Sequence, residues 1–197
     1  MCKNKVLRVL LIDNYDSFTF NIVSLLKQCG VDEICIMQND TIDFVMADTF
    51  QYIIISPGPK TPQESGEIVP FIQHFAATKN ILGICLGHQA IGVAFGAKLI
   101  QLQHPQHGAQ QQLQVVENQK IFEHIAAHTT IGLYHSWAID ASSLPACFSI
   151  TSNNANGVIM SIAHQSFHLI GLQFHPESYI TTQGLQMMKN WLGIIDK

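Results

Sequence analysis

Ile81-Leu82-Gly83-Ile84-Cys85-Leu86-Gly87-His88 reads as a short apolar strand, Ile81–Cys85, followed at once by a helix from about His88 to Phe95 that Gly96 closes. An apolar run without polar alternation suits a strand covered on both faces, and glycine just past the last periodic residue ends a helix. The same rhythm extends upstream. Val6–Ile12 is a strand-length run interrupted only by Arg8, and it ends at Asp13-Asn14-Tyr15-Asp16-Ser17, a polar turn with several candidate helix caps. Phe18, Ile22, Leu25, Leu26 and Cys29 recur at helical spacing, and Gly30 stops that helix. Glu33–Met37 and Tyr52–Ser56 follow as strands. Glu67–Ala77 is a second amphipathic helix, with Ile68, Phe71, Ile72 and Phe75 on one side and Pro70 early, where a missing N–H costs least. Strands alternating with helices predict a parallel sheet with helices on both faces.

The second half changes character. Gln101–Gln114 is rich in Gln and His and reads as a loop. Short strand candidates follow at Leu113–Val116, Ile131–His135, Phe148–Ser152, Val158–Ala163 and His168–Phe174, with hairpin turns at Asn153–Gly157 and near His164–Ser166. A helix at about Thr182–Leu192 closes the chain. No repeat or linker divides the sequence, so the expectation is a single mixed α/β domain over residues 1–197, a largely parallel open sheet flanked by helices.

The chain has 197 residues, enough for a continuous core, and its 47% hydrophobic content with a net charge of -4 excludes intrinsic disorder. Ten Lys plus Arg against 14 Asp plus Glu, without a basic run, leave no electrostatic footprint for nucleic acid. No apolar stretch approaches the length of a membrane span, and Met1-Cys2-Lys3-Asn4-Lys5 leads into a strand-length run rather than a signal-peptide core. A soluble cytoplasmic protein is expected. The cysteines Cys2, Cys29, Cys35, Cys85 and Cys147 are odd in number and lack paired short spacings, against both a disulfide framework and a zinc site. The ten histidines show no metal-ligand spacing beside a cysteine or carboxylate cluster.

Three places can carry chemistry. Cys85 stands between Gly83 and Gly87 at a strand-to-helix junction, the cysteine version of a nucleophile elbow. The glycines remove side chains that would collide around the turn, and the helix N-terminus beyond Cys85 favours a thiolate and a developing oxyanion. A buried structural cysteine in a Gly-rich strand is the alternative. The second place is His175-Pro176-Glu177, after the strand His168–Phe174. Residues two apart in extended chain project to the same side, and Pro176 holds His175 extended, so Glu177 can orient the imidazole. The alternative is a polar β-turn. Third, Ser56-Pro57-Gly58-Pro59 leaves the same sheet edge as the elbow, where ligands bind in open parallel sheets. Gly58 can offer a backbone N–H to an oxyanion beside that of Leu86, or the segment is simply a rigid turn.

With these residues in view, the chain resembles the class I, triad-type glutamine amidotransferases, and more narrowly the glutaminase subunits of chorismate-utilising synthases. The resemblance runs from Leu10 to about Trp191. It is carried by Asp13-Asn14-Tyr15-Asp16-Ser17-Phe18-Thr19, Ser56-Pro57-Gly58-Pro59, Gly83–Gln89, Tyr134-His135-Ser136 and Gln173-Phe174-His175-Pro176-Glu177-Ser178. It implies a flavodoxin-like open sheet and a catalytic triad of Cys85, His175 and Glu177, with an oxyanion hole at Gly58 and Leu86. It further implies that Gln89, Ser136 and the backbone of Trp137 hold the α-groups of L-glutamine, and that Gly58-Pro59-Lys60 forms another wall. No metal or organic cofactor is implied for this half-reaction. The implied partner is a separate chorismate-binding synthase subunit that uses the ammonia. The product is then 4-amino-4-deoxychorismate (folate route) or anthranilate (tryptophan route). Ser143-Leu144-Pro145-Ala146-Cys147-Phe148 and Pro59-Lys60-Thr61-Pro62 resemble the folate-route subunit more, although some relatives serve both.

Three positions depart from the family pattern. Lys60 replaces a usual Gly or small residue, Trp137 replaces Leu, and His107-Gly108-Ala109 replaces His-Gly-Lys in a segment that commonly faces the synthase. The Lys60 and Ala109 departures keep open a weakly catalytic, glutamine-binding regulatory subunit. A stand-alone cysteine hydrolase such as a γ-glutamyl peptidase is the other enzyme reading, and the N-terminal motif argues against it.

Overall fold

A computed structural model describes residues 6–127 and 129–194. The segment Met1–Lys5, with Cys2, lies outside the described residues, as does His128. In chain order the elements are β1 (Arg8–Asp13), α1 (Thr19–Gln28), β2 (Glu33–Gln38), α2 (Phe44–Ala47), β3 (Tyr52–Ile55), α3 (Ile68–Phe75), β4 (Asn80–Ile84) and α4 (Leu86–Ala94). They continue with β5 (Leu99–Gln101), β6 (Ala109–Gln112), β7 (Gln114–Val115), β8 (Thr130–Leu133), β9 (Trp137–Ile139), β10 (Phe148–Asn153), β11 (Ile159–His164), β12 (Leu169–Leu172) and α5 (Gly184–Leu192).

Among the described residues the main sheet has eight strands in the order β2-β1-β3-β4-β12-β11-β10-β7. The β2 to β12 portion is parallel and the remaining pairings are antiparallel. β12, late in the chain, docks in register on β4, with Gly171 opposite Gly83 and Leu172 opposite Ile84. That pairing brings the end of the His168–Phe174 region beside the Cys85 elbow.

The consecutive apolar residues of the parallel strands serve two cores, because alternate side chains leave opposite faces. Leu10, Ile12, Ile53, Ile55 and Ile81 pack with Ile68, Phe71, Ile72 and Phe75 of α3 and Ala90, Ile91 and Ala94 of α4. Val9, Leu11, Ile54, Leu82 and Ile84 pack with Ile22, Leu25 and Leu26 of α1 and Met187, Met188 and Leu192 of α5. Each such Leu, Ile or Phe contributes about 1.5–3 kcal/mol by burial, so both helix layers are held by the same strands.

Several expectations from the sequence are revised. The Gln101–Gln114 region is not all loop: Ala109–Gln112 forms β6, which pairs antiparallel with β8 from Gln112 opposite Thr130 to Ala109 opposite Leu133. β5 and β9 form a second two-stranded ribbon, and α2 is an unexpected single turn. The helix after Cys85 begins at Leu86 rather than near His88. The polar turn before α1 does not supply a side-chain cap; Phe18 is the N-cap residue, and the Asp16 carboxylate instead accepts from the Phe18 N–H at 2.8 Å. The turn at Asn153–Gly157 forms as expected, with Asn154 Oδ1 accepting from the Asn156 and Val158 N–H groups and Gly157 at φ 75°. Among the described residues no helix is long and apolar enough to cross a membrane.

Candidate active site

Cys85 sits in the single residue between β4 and α4, with φ 52° and ψ -100°. A non-glycine residue there carries strain of about 1–3 kcal/mol, held only because its surroundings over-determine it. Its N–H donates to Leu172 O at 2.7 Å, and its carbonyl accepts from the Gln89 N–H at 3.1 Å. The glycines around it are required by packing. A Cβ on Gly83 would lie 2.4 Å from the Gly87 carbonyl, and one on Gly87 would lie 2.4 Å from Ile55 O. The first turn of α4 leaves its N–H groups without intrahelical acceptors at this edge.

Gly58 approaches from the loop after β3. A Cβ there would fall 2.5 Å from Asn14 Cβ and 2.7 Å from Leu86 Cδ2, so only glycine brings this loop against the elbow. Asn14 staples the loop in place. Its N–H donates to Ser56 Oγ at 2.9 Å, its Nδ2 donates to Ser56 O at 2.8 Å, and its Oδ1 accepts from Asn39 Nδ2 at 2.9 Å.

His175 and Glu177 meet, but not in extended chain. Ser178 N–H donates back to His175 O at 3.2 Å, closing a turn, and within that turn His175 Nδ1 and Glu177 Oε1 are 2.6 Å apart. The polar β-turn and the imidazole–carboxylate pair are therefore one structure rather than alternatives. Both side chains are buried. The other ring nitrogen, Nε2, makes no conventional hydrogen bond, and the Cys85 side chain interacts with this imidazole. Burial pushes the His175 imidazole down, but the Glu177 carboxylate and the contacts with Cys85 outweigh it and hold it well above the usual histidine range.

The ring is also clamped. Phe18 lies 5.2 Å from it and Tyr134 lies 4.8 Å from it, both edge-on, and these two rings contact each other at 4.9 Å. Helical spacing alone puts Phe18 on the buried face of α1. Its aromatic identity one residue before the helix, in the polar turn, was the available signal for another task. Asn14 and Tyr134 stand in the quoted motifs without being assigned this work.

A cavity of about 250 Å³ opens above Cys85, lined by Gly58, Pro59, Lys60, Cys85, Gln89, Tyr134, His135, Ser136 and Trp137. All five residues expected to hold glutamine beside Gly58 (Pro59, Lys60, Gln89, Ser136 and Trp137) thus come together. Gln89 Nε2 donates to Trp137 O at 2.8 Å, so the Trp137 carbonyl serves the wall of the pocket. His135 and His88 are kept neutral: burial pushes them down to about 4 and about 3, respectively. A larger cavity, about 440 Å³, lies at the opposite edge, near the starts of β3, β4 and β12, and has no cysteine in its lining.

Lys60 adopts φ 70° and is exposed. Only glycine takes that conformation without steric cost. Lys60→Gly should therefore raise stability by roughly 0.5–1 kcal/mol, read as a higher midpoint in urea unfolding; a lower midpoint would mean the lysine side chain makes a stabilising contact.

An open α/β sheet that carries a thiol on a strained elbow beside an imidazole–carboxylate pair has the layout of cysteine-dependent acyl-transfer enzymes. The sequence profile of the family described as glutamine amidotransferase class-I matches residues 10–194. The chain is 40% identical over 186 residues to aminodeoxychorismate synthase component 2 of Escherichia coli (strain K12), covering 93% of this chain and 98% of that protein. It is 38% identical over 186 residues to aminodeoxychorismate/anthranilate synthase component 2 of Bacillus subtilis (strain 168), covering 93% and 95%. The crystal structure of a candidate GMP synthase subunit from Thermoplasma acidophilum superposes with a TM-score of 0.86 at 27% identity, covering 97% of this chain and 94% of that one. The chain belongs to the class-I glutamine amidotransferase family.

Proposed function

We propose that this protein is the glutaminase subunit of a chorismate-aminating synthase, acting in the cytoplasm as one domain, with Cys85, His175 and Glu177 as its triad. Cys85 thiolate attacks the side-chain carbonyl carbon of L-glutamine, and the thiol proton resides on His175. His175 returns that proton to the departing nitrogen, so ammonia leaves and a glutamyl thioester remains on Cys85. Water deprotonated by His175 then attacks the thioester and expels the Cys85 thiolate, releasing glutamate. Glu177 orients His175 and supports the imidazolium. The backbone N–H groups of Gly58 and Leu86 receive the tetrahedral oxyanion. Gln89, Ser136, the Trp137 backbone and the Gly58-Pro59-Lys60 loop hold the α-ammonium and α-carboxylate of the substrate.

The observation that carries this reading is the buried His175–Glu177 contact at 2.6 Å, in an imidazole whose Nε2 has no other hydrogen bond and with which the Cys85 side chain interacts. The released ammonia calls for an acceptor, and the names of the relatives, components of aminodeoxychorismate and anthranilate synthases, support a chorismate-using synthase subunit as the partner. Ser143–Phe148 and Pro59–Pro62 favour 4-amino-4-deoxychorismate as the product. A glutaminase shared by both routes is the second reading, favoured by the Bacillus subtilis relative, whose name carries both synthases.

Glutaminase turnover at saturating glutamine, with and without chorismate and the purified synthase subunit, tests the coupling. A misplacement of about 1 Å costs about a hundredfold in rate, so docking that corrects the Gly58 loop against Cys85 should raise turnover well above that of the isolated chain. Equal rates would favour the stand-alone hydrolase. Tight glutamine binding without turnover in either condition would favour the regulatory subunit.

A further inference from the structure

The carboxamide of Gln173 lies between the elbow and the wall of the pocket. Gln173 is fully buried just beyond β12, and its backbone N–H is occupied by Met160 O at 2.8 Å. Its side chain reaches Cys85 Sγ at 3.7 Å and Gln89 Nε2 at 3.1 Å. A buried amide is costly unless its polar atoms find partners, and here one of those partners is the sulfur at the elbow.

The orientation of the amide follows from which groups can donate. The Trp137 carbonyl can only accept, so the Gln89 end that faces it at 2.8 Å is the nitrogen. That nitrogen also faces the Gln173 amide at 3.1 Å and can only donate there, so the Gln173 atom it meets is the oxygen. The nitrogen of Gln173 is then the end turned toward Cys85, an N–H donor aimed at sulfur. The reverse orientation would set two nitrogens against each other and present an oxygen lone pair to the sulfur.

We propose that Gln173 is a further catalytic residue, whose Nε2–H donates to the Cys85 sulfur and stabilises it as the thiolate, held in that direction by Gln89 and the Trp137 carbonyl. The inference rests on the reading of Cys85 as nucleophile. No bond to Gln173 forms or breaks: the thiol proton goes to His175, and the contact is strongest whenever the sulfur is anionic, before attack and again when the thioester is hydrolysed. The titratable and charged groups around the sulfur are His175 backed by Glu177, with Asp16 beside that pair, His135, Tyr134 and Lys60 on the pocket wall, and His88 in the first turn of α4. Substitution of Gln173 leaves every one of them in place.

Two variants separate a donor from mere packing. Gln173→Met keeps the length and removes the donor, and Gln173→Glu is isosteric but turns an oxygen toward the sulfur. Alkylation of Cys85 by iodoacetamide, quantified by peptide mass spectrometry, should slow about tenfold at about pH 7 in either variant and return to within about twofold of the unaltered chain at about pH 10. Glutaminase kcat should fall by a similar factor, with a smaller change in KM. Unchanged rates at the lower pH, or an equal slowing at both, would overturn the proposal. In the unaltered chain, the Gln173 side-chain amide proton resonance should move as Cys85 ionises, which reads the contact even where a variant fails to fold; a resonance that stays fixed would overturn it. The two claims fail separately: glutaminase surviving in Cys85→Ser removes the nucleophile reading, whereas its loss there beside unchanged alkylation of the Gln173 variants removes only this inference.

Discussion

Cys85→Ser is expected to abolish glutamine-dependent amination by the assembled synthase while leaving ammonia-dependent amination intact. The substitution keeps the elbow, because serine occupies the same strained turn with one smaller atom. What it removes is the more ionisable nucleophile: a serine hydroxyl is far harder to ionise than a thiol. Losing the nucleophile of a triad costs on the order of 10⁴-fold or more in turnover. Supplied ammonia bypasses the step, because the proposed function assigns the acceptor chemistry to the partner chain. Assaying both nitrogen sources with the same assembled complex checks this, and loss of both activities in an intact complex would count against the division of labour.

The second large effect separates His175 from Glu177. His175→Ala removes the group proposed to carry the proton in both half-steps, whereas Glu177→Gln keeps a side chain in place to orient the ring but withdraws the charge that supports its protonated form. Removing the orienting member of a triad is on the order of 100-fold less damaging than removing the base, so Glu177→Gln should retain measurable single-turnover thioester formation where His175→Ala does not. Equal inactivity would mean Glu177 does more than orient.

The same pair has a signature in stability. Burial opposes the charge on His175, yet Glu177 and Cys85 raise its folded-state value above the unfolded one. A raised histidine adds stability that is fully present below about pH 6.5 and is lost as pH rises through the folded value. The melting-temperature deficit of Glu177→Gln should therefore be largest at about pH 5.5 and shrink toward alkaline pH. A deficit that grows with pH would contradict the assignment of the charge.

The parallel half of the sheet could be read from sequence because its strands are buried on both faces. Ile53-Ile54-Ile55 has no polar residue to alternate with, and the structure sends those side chains to two different cores. The α3 face of Ile68, Phe71, Ile72 and Phe75 was legible for the complementary reason, a helix with one buried side. β6 was not, since Ala109-Gln110-Gln111-Gln112 carries no apolar pattern and is held to β8 through its backbone. Neither was the insertion of β12 beside β4, which sequence order cannot reveal and which brings Cys85 to His175.

At the site, residue types and glycine spacing pointed to the elbow and to the His175–Glu177 pair. The turn that joins that pair was anticipated only as an alternative to it. The supporting residues were less visible, because Asn14, Phe18 and Tyr134 act through contacts with segments far away in the chain. Phe18 in particular satisfies a helical period with Ile22 and Leu25, yet its ring is spent on His175.

The central claim is that glutamine nitrogen is released through a covalent intermediate on Cys85. Acid-quenching the complex during steady turnover of isotopically labelled glutamine, then mapping the chain by peptide mass spectrometry, tests it most directly. The account predicts a labelled glutamyl group on the peptide carrying Cys85, accumulating further when hydrolysis is slowed and absent from Cys85→Ser. Sustained glutamate production with no adduct on Cys85, or with the label on Cys147 instead, would contradict it.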